Sequence, residues 1–162
     1  MNHFEFFGIP VGFYPDLIDL NTKFKKNVIQ HHPDLNEGSD DAENFTAQNN
    51  AAYKVLKTDK KRIPYILQMT NTMVDGEKSS LPNAFLMEMM EVNEALMEAK
   101  MEGQPVDDTL KEIQERNELI WKEIESIGKD ADKHPEKFSG ALTQIKHLFL
   151  QGRYLERVLE QQ

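Results

Sequence analysis

Few residues in this chain are of types that do covalent chemistry, and their spacing narrows the choice further. Cysteine is absent, which excludes disulfides, a zinc ribbon, a thiolate-ligated cluster and a cysteine nucleophile together. His31 and His32 could begin a metal site, but adjacent side chains at a helix end diverge, and no second histidine cluster completes a ligand set. Aspartate and glutamate are abundant, as on any acidic helical surface, so composition alone leaves a paired-carboxylate hydrolase open. No Gly-rich loop, nucleophile elbow or HExxH pattern accompanies them. There is no Walker-type phosphate loop, so the chain is not expected to hydrolyse ATP itself, and neither a catalytic residue, a cofactor nor a metal is expected. The stretch that stands out is His32-Pro33-Asp34, two polar side chains flanking a proline.

The elements around that tripeptide decide how it is presented. Leu17, Leu20, Phe24 and Val28 recur at steps of three, four and four, one stripe of an amphipathic helix over 17–30. Lys23, Lys26 and Gln30 fall on the opposite face with Lys25 at its flank, so the helix is expected to pack by one side and show a basic other side. Proline lacks a backbone donor and biases its predecessor out of the helical region, which stops the helix near His31 and leaves His32 and Asp34 on a tight exposed loop. After a polar gap, Leu35 to Ser39, Asp40 with Glu43 three residues on reads as a helix start. Phe45, Ala52, Tyr53 and Leu56 can then face the first helix across an antiparallel hairpin with His-Pro-Asp at its tip.

These residues resemble a J domain, the module of DnaJ-type co-chaperones. The resemblance rests on the hairpin with its His32-Pro33-Asp34 tip, on Asn50-Ala51-Ala52-Tyr53-Lys54-Val55-Leu56, and on Asp59-Lys60-Lys61-Arg62. The opening His3-Phe4-Glu5-Phe6-Phe7-Gly8-Ile9-Pro10 is similar to the aromatic-rich first helix of the HscB family, the co-chaperones of iron-sulfur cluster assembly. Arg62-Ile63-Pro64-Tyr65-Ile66-Leu67 and Ala84-Phe85-Leu86-Met87-Glu88 look like the joint and the C-terminal domain of that family, so the similarity covers nearly the whole chain. Two departures stand out. Leu35 follows His-Pro-Asp where lysine is common in J domains, which leaves chaperone affinity open, and no cysteine module precedes the first helix, as the animal mitochondrial form would have.

Composition agrees with an all-helical, two-domain protein. With 162 residues, 39% of them hydrophobic, the chain can bury one ordinary core or two small ones. No apolar run is long enough to span a bilayer and no secretory signal is visible, so a bacterial-type cytoplasm is expected, although a processed organellar protein would look the same. The expected organisation is a J domain over 1–75, a Gly/Ser/Pro connection over 76–82 and a three-helix bundle over 83–162. Residues 1–76 carry 8 basic against 10 acidic side chains, net −2, and residues 77–162 carry 11 against 18, net −7, which together make the total of −9. That balance repels nucleic acid phosphates. No nucleic acid and no membrane are expected as partners.

Within the second unit, helices are expected at about 83–102, 107–127 and 135–160, with breaks at Gly103-Gln104-Pro105 and from Gly128 to His134. Leu110, Ile113, Asn117, Ile120, Ile124 and Ile127 line one of them, and Phe138, Leu142, Ile145, Phe149, Gly152, Leu155 and Leu159 another. A glycine inside a helix costs roughly 1 kcal/mol against alanine, so a close helix approach at Gly152 is expected. The helix at 83–102 is the informative one. Phe85, Met89, Val92, Leu96 and Ala99 fall within one narrow arc, enough for a bundle seam. Leu86, Met90, Met97 and Met101 form an apolar shoulder beside it, and Glu94, Met87, Glu98, Glu91 and Glu102 follow in angular order as an acidic face. Glutamates four apart repel by a few tenths of a kcal/mol, which stability alone would not favour, so a basic partner is one reading. The shoulder itself is either a second buried side or an exposed methionine-rich recognition surface.

The resemblance implies specific roles. The J domain would bind an HscA/DnaK-type ATPase chaperone through His32, Pro33 and Asp34 with Lys23, Lys25 and Lys26, and stimulate its ATP hydrolysis. The bundle would dock the IscU-type iron-sulfur scaffold protein through Leu86, Met87, Met90, Glu91, Glu94 and Glu98, with Tyr154 from the last helix, and deliver it to the chaperone. A general J-domain co-chaperone serving another client would share only the first unit's behaviour, and a non-catalytic helical adaptor would affect no chaperone ATPase.

Overall fold

The computed structural model describes residues 1–36, 40–77 and 81–162. The end of the polar gap and the middle of the expected connection, 37–39 and 78–80, lie outside the described residues. Among the described residues all regular structure is helical: α1 His3–Phe7, α2 Leu17–Gln30, α3 Asp40–Leu56, α4 Asp59–Met69, α5 Asn83–Met101, α6 Asp107–Lys133 and α7 Phe138–Glu160, with short 3-10 turns at Pro33–Leu35 and Pro135–Lys137. They form two compact units, Met1–Met73 and Val74–Gln162.

Local chemistry starts and stops the helices of the first unit. At α1 the Asn2 side chain accepts from the Glu5 N–H while the Glu5 carboxylate accepts from the Asn2 N–H, a reciprocal cap, and Gly8 ends the helix in the left-handed region at φ 61°. The Asp16 carboxylate takes the exposed N–H groups of Ile18 and Asp19 at the start of α2. His31 closes α2, donating its N–H to the Asn27 carbonyl, two residues before the proline that forbids continuation.

α2 and α3 run antiparallel, because Asn21 meets Tyr53, Asn27 meets Asn49, and His31 meets Phe45, so residue numbers fall on one helix as they rise on the other. Their seam is not the stripe of Leu17, Leu20, Phe24 and Val28. Leu20 is fully buried and Phe24 stacks on Tyr53 at 4.0 Å, but Leu17 and Val28 are exposed. The helix is rotated so that Leu20, Phe24, Asn27 and His31 face α3, which puts Leu17 and Val28 on the flank. The rotation brings Asn49, 1% exposed, within reach of two partners: its Oδ1 accepts from Asn27 Nδ2 at 3.0 Å and its Nδ2 donates to the Phe24 carbonyl at 3.4 Å. Burying an amide is tolerable only when both its ends are satisfied in this way.

Below the hairpin, Phe4, Phe13, Leu20, Leu56, Ile63, Ile66 and Leu67 form a solvent-free core, each contributing about 1.5–3 kcal/mol by burial. Arg62 lies inside it, 2% exposed. Its Nε donates to the Phe13 carbonyl and its Nη1 to the Leu56 carbonyl, both at 2.6 Å, and the guanidinium sits 5.3 Å from the Tyr14 ring. One side chain thus ties the loop before α2 to the end of α3 and the start of α4.

In the second unit α6 and α7 form an antiparallel pair, with Asn117 opposite Gly152, Trp121 against Phe149, and Asp130 bonded to Lys137 near the turn. The expected break at Gly128 does not occur. α6 continues to Lys133, and Gly128 and Ala131 are buried because they extend the stripe of Ile113, Asn117, Ile120 and Ile124 by steps of four and three. A glycine ends a helix when it supplies a left-handed residue, as Gly8 and Gly103 do at φ 61° and 68°. At Gly128 it is a small surface against which a neighbour packs. α7 buries Ala141, Ile145, Phe149, Leu150, Gly152, Leu155 and Val158, while Phe138, Leu142 and Leu159 of the expected stripe are half-buried at its edge. α5 closes the bundle with Phe85, Met89 and Leu96 inward, held by Arg116, which grips the Glu88 carboxylate at 2.5 and 3.1 Å.

Candidate functional site

The first candidate face is the tip of the α2/α3 hairpin. His32 and Asp34 flank Pro33 in a 3-10 turn closed by the Leu35 N–H on the His32 carbonyl at 3.0 Å. His32 Nδ1 accepts the Asp34 N–H at 3.2 Å and lies 3.5 Å from the Asp34 carboxylate. The two side chains remain 50% and 88% exposed. The tautomer with Nδ1 as acceptor leaves the Nε2 proton directed away from this contact, so the pair offers a donor and a carboxylate acceptor to an approaching surface.

The turn stands on an anchored base. Asn36 Nδ2 donates to the carbonyls of Gln30 at 3.2 Å and His32 at 3.3 Å, supplying partners that the end of α2 lacks. The His31 ring stacks on Phe45 at 3.8 Å, Phe45 packs on Phe6 at 5.1 Å, and Phe6 meets buried Phe7 edge-on at 5.2 Å. His31 is therefore a packing residue while His32, its neighbour, is presented.

Along α2, Lys25 and Lys26 project into solvent. Lys23 does not stand with them: its Nζ is 3.0 Å from the Asp19 carboxylate and 3.3 Å from the Gly8 carbonyl, which uses the charge to hold α1 against α2. Exposed Ile29 and Leu35 flank the tip.

The second candidate face is α5. Its shoulder is exposed rather than a second buried side: Met90, Met97 and Met101 are 60%, 60% and 83% accessible and Leu86 is half-buried, while Met87 on the acidic face is 64% accessible. Among the described residues Glu91, Glu94 and Glu98 have no ion-pair partner, in contrast to Glu88 with Arg116. Tyr154 of α7 is half-buried at the edge of this face. Its ring meets Phe85 edge-on at 5.7 Å, its hydroxyl accepts from Asn93 at 3.4 Å, and the Arg157 guanidinium lies 5.8 Å above the ring. The arrangement is an apolar strip bordered by uncompensated negative charge and fixed at one side by an aromatic ring. No cluster of metal-binding side chains is present among the described residues. No described helix is long and apolar enough to cross a membrane.

The wheel had already separated the α5 shoulder from its seam. The supports of the tip had no comparable signal: Asn27, Asn36 and Asn49 are polar residues in a polar stretch, and only their pairing shows that they position the turn. The sole sequence hint for Asn49 is that it stands one turn before Ala52 and Tyr53, on the helix face turned toward α2.

A helical hairpin presenting His-Pro-Asp, followed by a separate helical bundle, defines a J-domain protein of the co-chaperone class. Residues 2–65 match the family model of the DnaJ domain, and residues 81–161 match that of the HSCB C-terminal oligomerisation domain. The chain is 33% identical over 133 residues to the co-chaperone protein HscB homolog of Aeromonas salmonicida, covering 76% of this chain and 77% of that one. It is 31% identical over 160 residues to the homolog of Acinetobacter baylyi, covering 98% and 87%. The fold is also that of the human co-chaperone protein HscB, with a TM-score of 0.71 at 21% identity over 99% of this chain and 80% of that one, and of chaperone HscB from Vibrio cholerae, with a TM-score of 0.58 at 24% identity over 99% of both. The chain belongs to the HscB co-chaperone family.

Proposed function

We propose that this protein stimulates the ATPase of an Hsp70-type chaperone, of the HscA/DnaK kind, and brings to it the IscU-type scaffold on which iron-sulfur clusters are assembled. His32, Pro33 and Asp34 would engage the chaperone, with Lys25 and Lys26 steering the approach and Lys23 setting the helix that carries them. Leu86, Met87, Met90, Glu91, Glu94, Glu98 and Tyr154 would dock the scaffold. The observation that carries the first half is that the His32 and Asp34 side chains, 50% and 88% exposed, make among the described residues only the local contacts of Asp34 with His32 Nδ1; these side chains add little to stability there, so their use lies outside the chain. The second half is supported by four exposed methionines beside Glu91, Glu94 and Glu98, which have no cationic partner among the described residues, a surface suited to an adaptable basic partner. One chain that holds both client and trigger raises their effective concentration at the chaperone.

The test has two arms. His32→Gln should abolish stimulation of the chaperone's steady-state ATPase while leaving the melting curve within about 0.5 kcal/mol of the parent. Undiminished stimulation would remove the trigger from this loop. Leu86→Ala with Met90→Ala should weaken scaffold binding by several kcal/mol in a calorimetric titration, as truncated hot spots do. Phe85→Ala should instead unfold the bundle by about 3–5 kcal/mol. A double variant that melts early yet binds normally once folded would overturn the docking assignment.

A further inference from the structure

We propose that Glu77 and Lys146 form a clasp that ties the start of the connection to α7 and thereby sets the length of free chain between the two units. The clasp itself is independent of what either unit binds, and only its consequence for the chaperone rests on the co-chaperone function.

The first unit is tied off at Met73: its N–H and that of Thr72 both reach the Leu67 carbonyl at 2.9 Å, and Met73 is buried. The second unit begins at the next residue. There Val74–Glu77 folds into a turn closed by the Glu77 N–H on the Val74 carbonyl at 3.1 Å, with Gly76 at φ 79° in the third position, where a side chain would be strained. The Glu77 carboxylate reinforces the turn, its Oε2 accepting from the Val74 N–H at 3.3 Å, and its Oε1 takes the Lys146 ammonium at 2.8 Å. An isolated surface pair adds little to stability. This one differs, because both carboxylate oxygens are engaged and the Lys146 side chain is only 15% exposed. The Lys146 bond first, and the Val74 N–H second, hold the Glu77 carboxyl below its ordinary pKa. An ammonium partly withdrawn from water attracts a carboxylate more strongly than a solvated one does, and losing the carboxylate leaves it uncompensated.

The consequence is one of reach. With the clasp shut, only residues 74–76 separate the end of the first unit from a point fixed on the bundle, a span of at most about 10 Å. With it open, residues 74–82 run from Met73 to the start of α5 at Asn83, a span of up to about 30 Å. His32-Pro33-Asp34 lies on one side of this tether and the client face on the other. A longer flexible tether dilutes one unit around the other, so the clasp governs the effective concentration of trigger and client at the chaperone.

The chain has no cysteine, so Gln48→Cys on α3 and Glu123→Cys on α6, both exposed positions, place one spin label on each unit of the full chain. The width of the distance distribution between the labels reads the tether. Lys146→Met, which leaves the Val74–Glu77 turn its own bonds, and Glu77→Lys should each widen the distribution about twofold. Glu77→Lys combined with Lys146→Glu should narrow it again, because the attraction returns with its charges exchanged. Equal widths in the parent and the single variants, or a double variant as wide as the singles, would overturn the clasp. With an IscU-type scaffold present, the concentration of Lys146→Met that gives half-maximal stimulation of the chaperone ATPase should rise about threefold, and without scaffold it should match the parent's. Unchanged values in both assays beside widened distributions would overturn the coupling role. A parent that stimulates no chaperone, while the distributions widen and narrow as described, would sink the co-chaperone reading and leave the clasp standing.

Discussion

Gly152 and Asn117 face each other so closely that a methyl group placed on Gly152 would lie 2.9 Å from Asn117 Oδ1. α6 and α7 thus approach here as only glycine permits, and the helix accepts a residue that costs roughly 1 kcal/mol against alanine in isolation. Gly152→Ala should recover that propensity and lose more, because Asn117 is buried and its Nδ2 donates to Glu156 at 3.2 Å, which limits how far its side chain can give way. The expected net loss is about 1–2 kcal/mol by urea unfolding. In an Asn117→Ala background the same change should be neutral or favourable. A Gly152→Ala protein as stable as the parent would show that the side chain moves aside freely.

Arg62 offers a sharper test of a buried polar group. Arg62→Met keeps much of the volume and leaves the Phe13 and Leu56 carbonyls without the bonds that the guanidinium donates at 2.6 Å. Each buried acceptor so stranded costs about 1–3 kcal/mol, so a loss of about 2–5 kcal/mol is expected. Arg62→Lys should fall between, since one ammonium lacks the fork that reaches two carbonyls at once. Equal stability of all three proteins in a urea melt would mean that water replaces the clamp.

The lysines of α2 should separate into two behaviours. Lys25→Glu with Lys26→Glu changes two projecting charges and should leave stability within about 0.5 kcal/mol. It should slow association with an acidic chaperone surface and reverse its salt dependence. Lys23→Met removes the contacts to Asp19 and Gly8, and should cost up to about 1 kcal/mol with a smaller effect on association. Stopped-flow association at low salt distinguishes the two; equal rates for all variants would make the basic side a solvated face only.

His3 predicts a pH dependence. Burial beside Tyr65, on which its ring stacks at 4.4 Å, lowers its pKa below the ordinary value. The folded protein therefore binds this proton less readily than the unfolded chain does. The resulting contribution is complete above the unfolded value of about 6.5 and is lost as pH falls from there through the folded one. His3→Phe keeps a stacked ring without the titration, so its urea midpoint should fall less than the parent's between about pH 7.5 and 5.5. Parallel curves would place the His3 imidazole in free exchange with solvent.

Periodicity and punctuation alone were enough for much of this protein. The apolar repeat that begins at Leu17 and Pro33 after it bound α2, since a missing donor acts over one or two residues. The α5 wheel likewise separated Phe85, Met89 and Leu96 from Met90, Met97, Met101 and the glutamates, because the angle between side chains on one helix is local geometry. What depended on the partner helix was not legible. Gly128 looks like a stop until Ala131 is found buried on the same stripe, and Leu17 and Val28 look like core until α3 selects the face with Asn27 and His31. Lys23 reads as one of three equal charges until Gly8 arrives beside it. A helix's own sequence specifies which residues share a face. Which of two adjoining faces is buried, and which charge is neutralised, follows from the free energy of contacts made by residues distant in the chain, and only the tertiary structure decides it.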